Sequence, residues 1–410
     1  MTRRLHQSGL VRCWNAVSRL RGGTRRALSK DRMLAAAAAK YPASPQLEPD
    51  TSAAFGTLVD AINDTARLHA FGRFYVSQFL TGLLVNRRRL GAYWAEHRDI
   101  FEAELRKPVI ILGLPRSGTS FLFNLLAQDP AHRYLANWET TVSQAPPPRV
   151  TRPEDDPRRR VGRLLMLFQR YLAPHLEDIH EFHLDGPEEC TPLLMQGFDT
   201  QALAGMFDIP AYSAWLDTVD HRPAYAHHKR ILQTLQATYP GQRWLLKSPD
   251  HLAALGPLLQ TYPDACLVHL HRDPVQAVSS WASLNAAFRG IWSEEIDSGP
   301  LGAQILDRLA KDMDAYLAAR DRIAGAEARI LDLPYRELIG APLAAVERIY
   351  AHFDLELNDS ARSRLNAFLS LDRKKQRSHA YAPEDFGLSP ERIRKRFAHY
   401  IDRFVERTPA

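Results

Sequence analysis

The pattern of apolar and polar positions changes character at residue 107. Before it, apolar residues recur at helical spacing through 35–39, 55–71 and a long stretch ending near 106, which predicts a helical region over 31–107. After it, Val109, Ile110, Ile111 and Leu112 form an unbroken apolar run, the pattern of a strand buried on both faces in a parallel sheet. Residues 113–118 read as a loop, and 119–128 as a helix apolar nearly all round and therefore buried. A second strand is expected near 134–136. Residues 143–160, with three prolines at 146–148 and three arginines at 158–160, read as a surface loop. Residues 161–240 predict helices rich in aromatics and histidine, inserted over the sheet.

Two strand-to-helix units follow. Residues 244–246 run into Lys247, with Ser248 as helix cap and Pro249 at the first helical position. Residues 266–270 run into His271 and Arg272, with Asp273 and Pro274 in the same two roles. A last strand is expected at 329–333. Strands alternating with helices predict a doubly wound parallel α/β sheet, with ligands outside the C-terminal strand ends.

Length and composition add limits. The 410 residues suffice for one large domain with insertions, and 45% apolar with 24% charged residues is a globular balance. Cys13, Cys190 and Cys266 are far apart and unpaired in number, which argues against a disulfide framework or a thiolate zinc site. The net charge is +6, yet residues 1–30 hold eight basic residues and no acid, leaving the rest of the chain at −2. The basic character belongs to that segment, so a nucleic-acid partner is not expected. Within it, Leu10, Trp14 and Val17 fall at i, i+4 and i+7 beside Cys13 and Leu20, a short basic amphipathic helix that Gly22-Gly23 would end. Such a segment suits a peripheral membrane contact, an organelle transit peptide or a solvated tail. No run of 18 apolar residues is present, and Arg3-Arg4 lacks the apolar stretch of a signal peptide, so the expected location is cytoplasmic.

The segment Gly113-Leu114-Pro115-Arg116-Ser117-Gly118-Thr119-Ser120 carries the most chemistry. It leaves a buried strand and opens a helix, where successive backbone N–H groups bind an anion. Its spacing matches a nucleotide-triphosphatase loop except that Thr119 stands where that loop has its lysine, and Arg116 puts a cation inside instead. Further on, Arg272 at a strand end precedes Ser280 by eight residues. The six helical residues past Pro274 rise about 9 Å, so both side chains can converge on one anion. Read alone, Arg272 could equally pair with Asp273, and Ser280 could be an ordinary helix serine.

The Pro-Arg-Ser-Gly-Thr loop resembles the 5′-phosphosulfate loop of sulfotransferases that use 3′-phosphoadenosine 5′-phosphosulfate (PAPS), most closely their protein-tyrosine and bacterial branches. The Arg272/Ser280 spacing resembles the family's 3′-phosphate site, and Lys247-Ser248-Pro249 its lysine motif. By motif the resemblance covers residues 108–285. It implies a P-loop-like three-layer α/β fold with a central parallel sheet, a basic segment over 1–30, a helical N-terminal region over 31–107 and a sulfotransferase domain over 108–410. The helical insertion at about 150–240 would lie over the active site.

The implied reaction moves a sulfonyl group from PAPS to a hydroxyl of a small-molecule, lipid or glycan acceptor, leaving adenosine 3′,5′-bisphosphate and needing no metal. In that reading Arg116, Ser117, Gly118, Thr119 and Ser120 hold the phosphosulfate, and Arg272 and Ser280 the 3′-phosphate. Lys247 meets the departing phosphate oxygen, where negative charge grows. Glu139, a little over twenty residues past the loop arginine, takes the position of the base in the protein-tyrosine branch. The cytosolic branch's histidine is replaced by Pro249, with His251 as a substitute candidate. Lys375 and Arg377, in the basic run 373–377, are candidates for the segment that closes the nucleotide site. His175, His180, His183, Glu188, Glu189 and Cys190 cluster in sequence, without the spacing of a metalloprotease motif, and read as acceptor-pocket or packing residues. The rival readings are a P-loop kinase or nucleotide triphosphatase, and a non-enzymatic membrane-associated nucleotide-binding protein.

Overall fold

A computed structural model describes residues 8–20, 27–147, 150–172, 183–372 and 382–406. Lys375, Arg377, His175 and His180 lie outside these residues. The central sheet has five parallel strands in the order β2-β5-β1-β6-β7: β1 (Val109–Gly113), β2 (His132–Arg133), β5 (Arg243–Lys247), β6 (Cys266–His271) and β7 (Ile330–Pro334). β3 (Leu135–Ala136) and β4 (Pro187–Glu188) pair antiparallel apart from it. The strand expected at 134–136 is therefore two short pieces. His132 and Arg133 join the sheet edge, and the chain then turns to pair with β4.

The pleat sorts the strand side chains between two layers. Ile110, Leu112, Leu246 and Leu267 face one cluster, while Val109, Ile111, Leu245 and Val268 face another. Helix α5 (Thr119–Leu126) packs in the second cluster through Phe121, Leu122 and Leu125, on the predicted all-apolar surface. The chain leaves β1 toward β2 and leaves β6 toward β7, in opposite directions from two adjacent strands. The loops after β1 and β6 therefore flank the crevice where such sheets bind ligands.

The N-terminal region is four helices: α1 (Gly9–Leu20), α2 (Lys30–Lys40), α3 (Pro49–Thr65) and α4 (Ala70–Glu96). The break between α3 and α4 falls inside the helix expected at 55–71. There Arg67 adopts a left-handed φ of 45°, Leu68 bridges to Ser293, and His69 N–H donates to the Trp292 carbonyl at 3.1 Å. Phe55, Val59 and Leu80 share a core with Phe198 and Leu203 from the insertion. Helix α6 (Arg158–Leu172) begins inside the span expected to be a loop, three residues before the helical stretch was expected to start. No helix among the described residues is long and apolar enough to cross a membrane.

Candidate active site

The loop after β1 is curled tightly by its backbone. Gly118 has φ of +95° and caps α5; a Cβ there would sit 2.8 Å from the Tyr335 ring. Arg116 is also left-handed, at +66°. The first-turn amides of α5 have no helical carbonyl to bond, as at any helix start. Ser117 is fully buried and its Oγ has no partner.

Two cations from neighbouring strands reach this loop. Arg272, just past β6, donates from Nη1 to the Arg116 carbonyl at 2.7 Å, bonds Gln276, and lies 4.0 Å over the Tyr335 ring. Its own N–H donates to the Tyr400 hydroxyl at 3.2 Å. Lys247 ends β5, is 3% exposed, and donates from Nζ to Ser120 Oγ at 3.3 Å and to Glu189 Oε1. Ser280 lies two turns along the helix α7 (Pro274–Trp292), buried, with its Oγ unpartnered. Gln276 stands between Arg272 and Ser280, one turn from each, and Arg272 turns to it and to the loop.

Beside the loop opens a cavity of about 410 Å³. Pro115, Arg116, Thr119 and Ser120 form its wall on the loop side, with Glu188 and Glu189 next to them. Its lining includes the apolar Leu194, Met206, Ile209, Leu284 and Phe288, with Asp307, Arg308, Lys311 and Asp312 charged on the same cavity. The apolar residues come from the predicted insertion and from α7.

A model of the sulfotransferase family matches residues 108–359. The chain belongs to the sulfotransferase family. It is similar to the omega-hydroxy-beta-dihydromenaquinone-9 sulfotransferase Stf3 of Mycobacterium bovis, 25% identical over 322 residues, spanning 72% of this chain and 74% of that one. Among solved structures, sulfotransferase STF1 from Mycobacterium tuberculosis is 31% identical with a TM-score of 0.78, covering 92% of this chain and 100% of that one. Sulfotransferase STF9 from Mycobacterium avium is 29% identical with a TM-score of 0.81, covering 93% of this chain and 98% of that one. The central parallel sheet and P-loop-like architecture expected from the motifs are those of this family's solved members.

In this member of the sulfotransferase family the two expected bases both lie buried, away from the cavity lining. Glu139 is 1% exposed and does not line the cavity. One carboxylate oxygen accepts from Arg133 Nη2 at 2.6 Å and the other from the Ala136 N–H at 3.0 Å, so it closes a short helix start and neutralises a neighbour. His251 is completely buried, with Nδ1 2.7 Å from the Tyr225 hydroxyl, and burial drives its pKa well below the ordinary value. It does not line the cavity either.

Of the cavity-wall carboxylates, Glu189 is tied to the loop through Lys247, which bonds both it and Ser120, and Glu188 precedes it in the chain. Glu188 accepts from Asn137 Nδ2 at 2.7 Å and from the Glu189 N–H at 3.0 Å. Glu189 meets Lys247 and, at 3.3 Å, the Thr191 hydroxyl. The sequence placed Glu189 among pocket residues without a chemical role. Gln276, Tyr335 and Tyr400 carried no motif, although Tyr335 directly follows β7, as Lys247 ends β5 and Arg272 follows β6.

The cavity also buries acids. Asp250 is held by the Thr200 and Ser248 hydroxyls, and burial raises its pKa. Asp199 has an unpartnered Oδ1, and burial pushes its pKa up to about 7. Its folded pKa lies above the unfolded one, so the native state holds a proton that the unfolded state releases. Stability therefore falls as pH rises from the unfolded value to about 7. Asp199→Asn should raise the melting temperature more at about pH 8 than at about pH 5. Equal shifts at both pH values in a thermal melt would contradict this.

Among the described residues, His269, His271 and Asp332 form a cluster of possible metal ligands. Asp332, however, receives two 2.6 Å hydrogen bonds from Arg320 and one of 2.8 Å from His271, which uses its carboxylate structurally.

Proposed function

We propose that the protein transfers the sulfonyl group of PAPS to the hydroxyl of a neutral, largely apolar acceptor. The observation that carries this is the meeting of Lys247, Arg272 and the 113–120 loop at three adjacent strand ends, beside an apolar cavity. The residues suit the donor. Open first-turn amides and the Ser117 and Ser280 hydroxyls, which have no partner in the fold, are groups that phosphate oxygens satisfy. Arg116 and the amides of residues 117–120 would hold the phosphosulfate, and Arg272 with Ser280 the 3′-phosphate.

Bound there, PAPS supplies the sulfonyl group. The protein's own part is charge and position. Glu189, on the cavity wall next to the loop, takes the proton of the acceptor hydroxyl. Lys247 compensates the charge that grows on the phosphate oxygen as the S–O bond breaks. Glu189 and Lys247 touch, so base and cation stand on one side of the loop in fixed relation. The apolar wall favours an alcohol on a hydrophobic skeleton. The acceptor named for Stf3, an omega-hydroxylated menaquinone, is of that kind.

The test is transfer of radiolabel from [35S]PAPS into lipid and polar extracts. Labelled product in the organic phase is expected, and label confined to polar glycans or peptides would reject the apolar acceptor. In thermal melts, adenosine 3′,5′-bisphosphate should stabilise the protein more than magnesium ATP. The opposite order would favour a nucleotide triphosphatase.

A further inference from the structure

Two amphipathic helices carry their apolar faces outward. On α1, the side buried against the body is Val11 and Asn15, the latter accepting a hydrogen bond from the Phe71 N–H at 3.0 Å. Leu10, Trp14, Val17 and Leu20, the larger apolar set, are exposed at 39%, 42%, 41% and 88%. On α6, Gly162 and Leu172 are buried, while Val161, Leu164, Leu165, Leu167, Phe168 and Tyr171 stand exposed.

The two surfaces are joined. Trp14 stacks on the exposed Phe74 of α4 at 5.1 Å and meets Phe71 edge-on at 5.9 Å. Phe71 stacks on Tyr75 at 6.1 Å, and Tyr75 on Phe168 of α6 at 6.3 Å. Eleven of the thirteen exposed large hydrophobics among the described residues lie on these three helices, so this is one patch and not scattered exposure.

Charge decides what fits it. Neither α1 nor α6 contains an acidic residue. Arg12 and Arg19 are exposed on α1. On α6, exposed Arg160 and Arg163 each lie one turn before an exposed leucine, Leu164 and Leu167. An apolar face flanked by arginines, with no compensating acid on its helices, matches an anionic lipid surface: the apolar side chains enter the acyl boundary and the guanidinium groups meet the headgroups. A second copy of the same face would set arginine against arginine.

We infer that α1, the start of α4 and α6 form a single docking face that seats the enzyme on anionic membranes. The sequence pointed only to residues 1–30; the fold adds α6 and the aromatic bridge. Beneath the face, Trp292 stacks on Tyr75 at 4.6 Å and shares a core with Leu284 and Ile209, which also line the acceptor cavity. The docking face thus rests on the same packed layer as the acceptor site, although membrane binding does not require the proposed chemistry.

The test is co-sedimentation of the full chain with phosphatidylcholine vesicles, with and without phosphatidylglycerol. Binding should require the anionic lipid and weaken in high salt. Arg160→Gln and Arg163→Gln should each lower partitioning about fivefold, and Leu164→Gln with Leu167→Gln should abolish it, with nucleotide-dependent thermal stabilisation unchanged. Brominated acyl chains should quench tryptophan fluorescence in the unmutated protein, and Trp14→Phe should remove that component, a readout that survives if the α6 variants fold poorly. Equal binding to neutral vesicles, no binding to either, or a stable dimer that buries Trp14 would overturn the inference.

Discussion

Lys247→Met should lower kcat about 10²- to 10³-fold, the range for removing one preorganised charge-stabilising group. Affinity for adenosine 3′,5′-bisphosphate should change by no more than a few-fold. The split follows from position. Lys247 is buried at the end of β5, reaching Ser120 at 3.3 Å and lying 5.7 Å over the Phe123 ring, while Arg272 approaches the loop from β6 on the other side of β1. In the proposed reading, ground-state grip on the nucleotide falls to the amides and Arg272. The lysine's charge matters most as the leaving oxygen becomes anionic, an interaction that raises kcat more than binding. Methionine retains the stem's packing against Phe123 but leaves Glu189 without its cation, so folded protein is confirmed by its melt before rates are compared. Turnover equal to the unmutated enzyme would remove Lys247 from the leaving-group role. A parallel loss of nucleotide affinity would make it a binding residue.

The sequence made the sheet and the three loops legible because both are written locally. An unbroken apolar strand, two glycines with an arginine between them, and Ser-Pro or Asp-Pro at helix starts need no distant partner to be recognised. Side-chain direction is another matter. Glu139 sits at a spacing that resembles the family's base, yet the backbone turns it to the Ala136 amide and Arg133. Arg272 and Ser280 share a helix-start geometry that permits convergence, but the spacing gave no sign that Arg272 also bonds the Arg116 carbonyl and Gln276. Glu189 was invisible as a chemical group because its neighbour Lys247 lies 58 residues away in sequence. Periodicity likewise identified α1 as amphipathic without saying which way its apolar face looks; only the packing of Val11 and Asn15 against α4 turns that face outward.

Glu189→Gln and Glu139→Gln should fail in opposite ways, and the contrast separates a base from a fold residue. Glutamine keeps the shape of either side chain and removes its charge. At Glu189, the loss of a general base should cost about 10²- to 10⁴-fold in kcat. Because an uncharged amide cannot accept the proton, the acidic limb of the kcat/KM profile should flatten as well. Nucleotide binding should move little, while the melting temperature should fall, because Lys247, 4% exposed, loses its carboxylate partner. Glu139 is buried at 1% against Arg133 at 14%. Removing its charge leaves the Arg133 guanidinium, which otherwise bonds only the Tyr134 and Tyr239 carbonyls, without a counter-ion, and breaking a buried pair of this kind costs about 3–5 kcal/mol of stability. Protein that remains folded should turn over at near the unmutated rate with its pH profile intact. If Glu139→Gln abolishes turnover while the melt is unchanged, and Glu189→Gln does not, the base is Glu139 and not the cavity-wall carboxylate. The cavity lining argues against that outcome: Ser120, Glu189, Met206 and Ile209 all belong to it, and Glu139 does not.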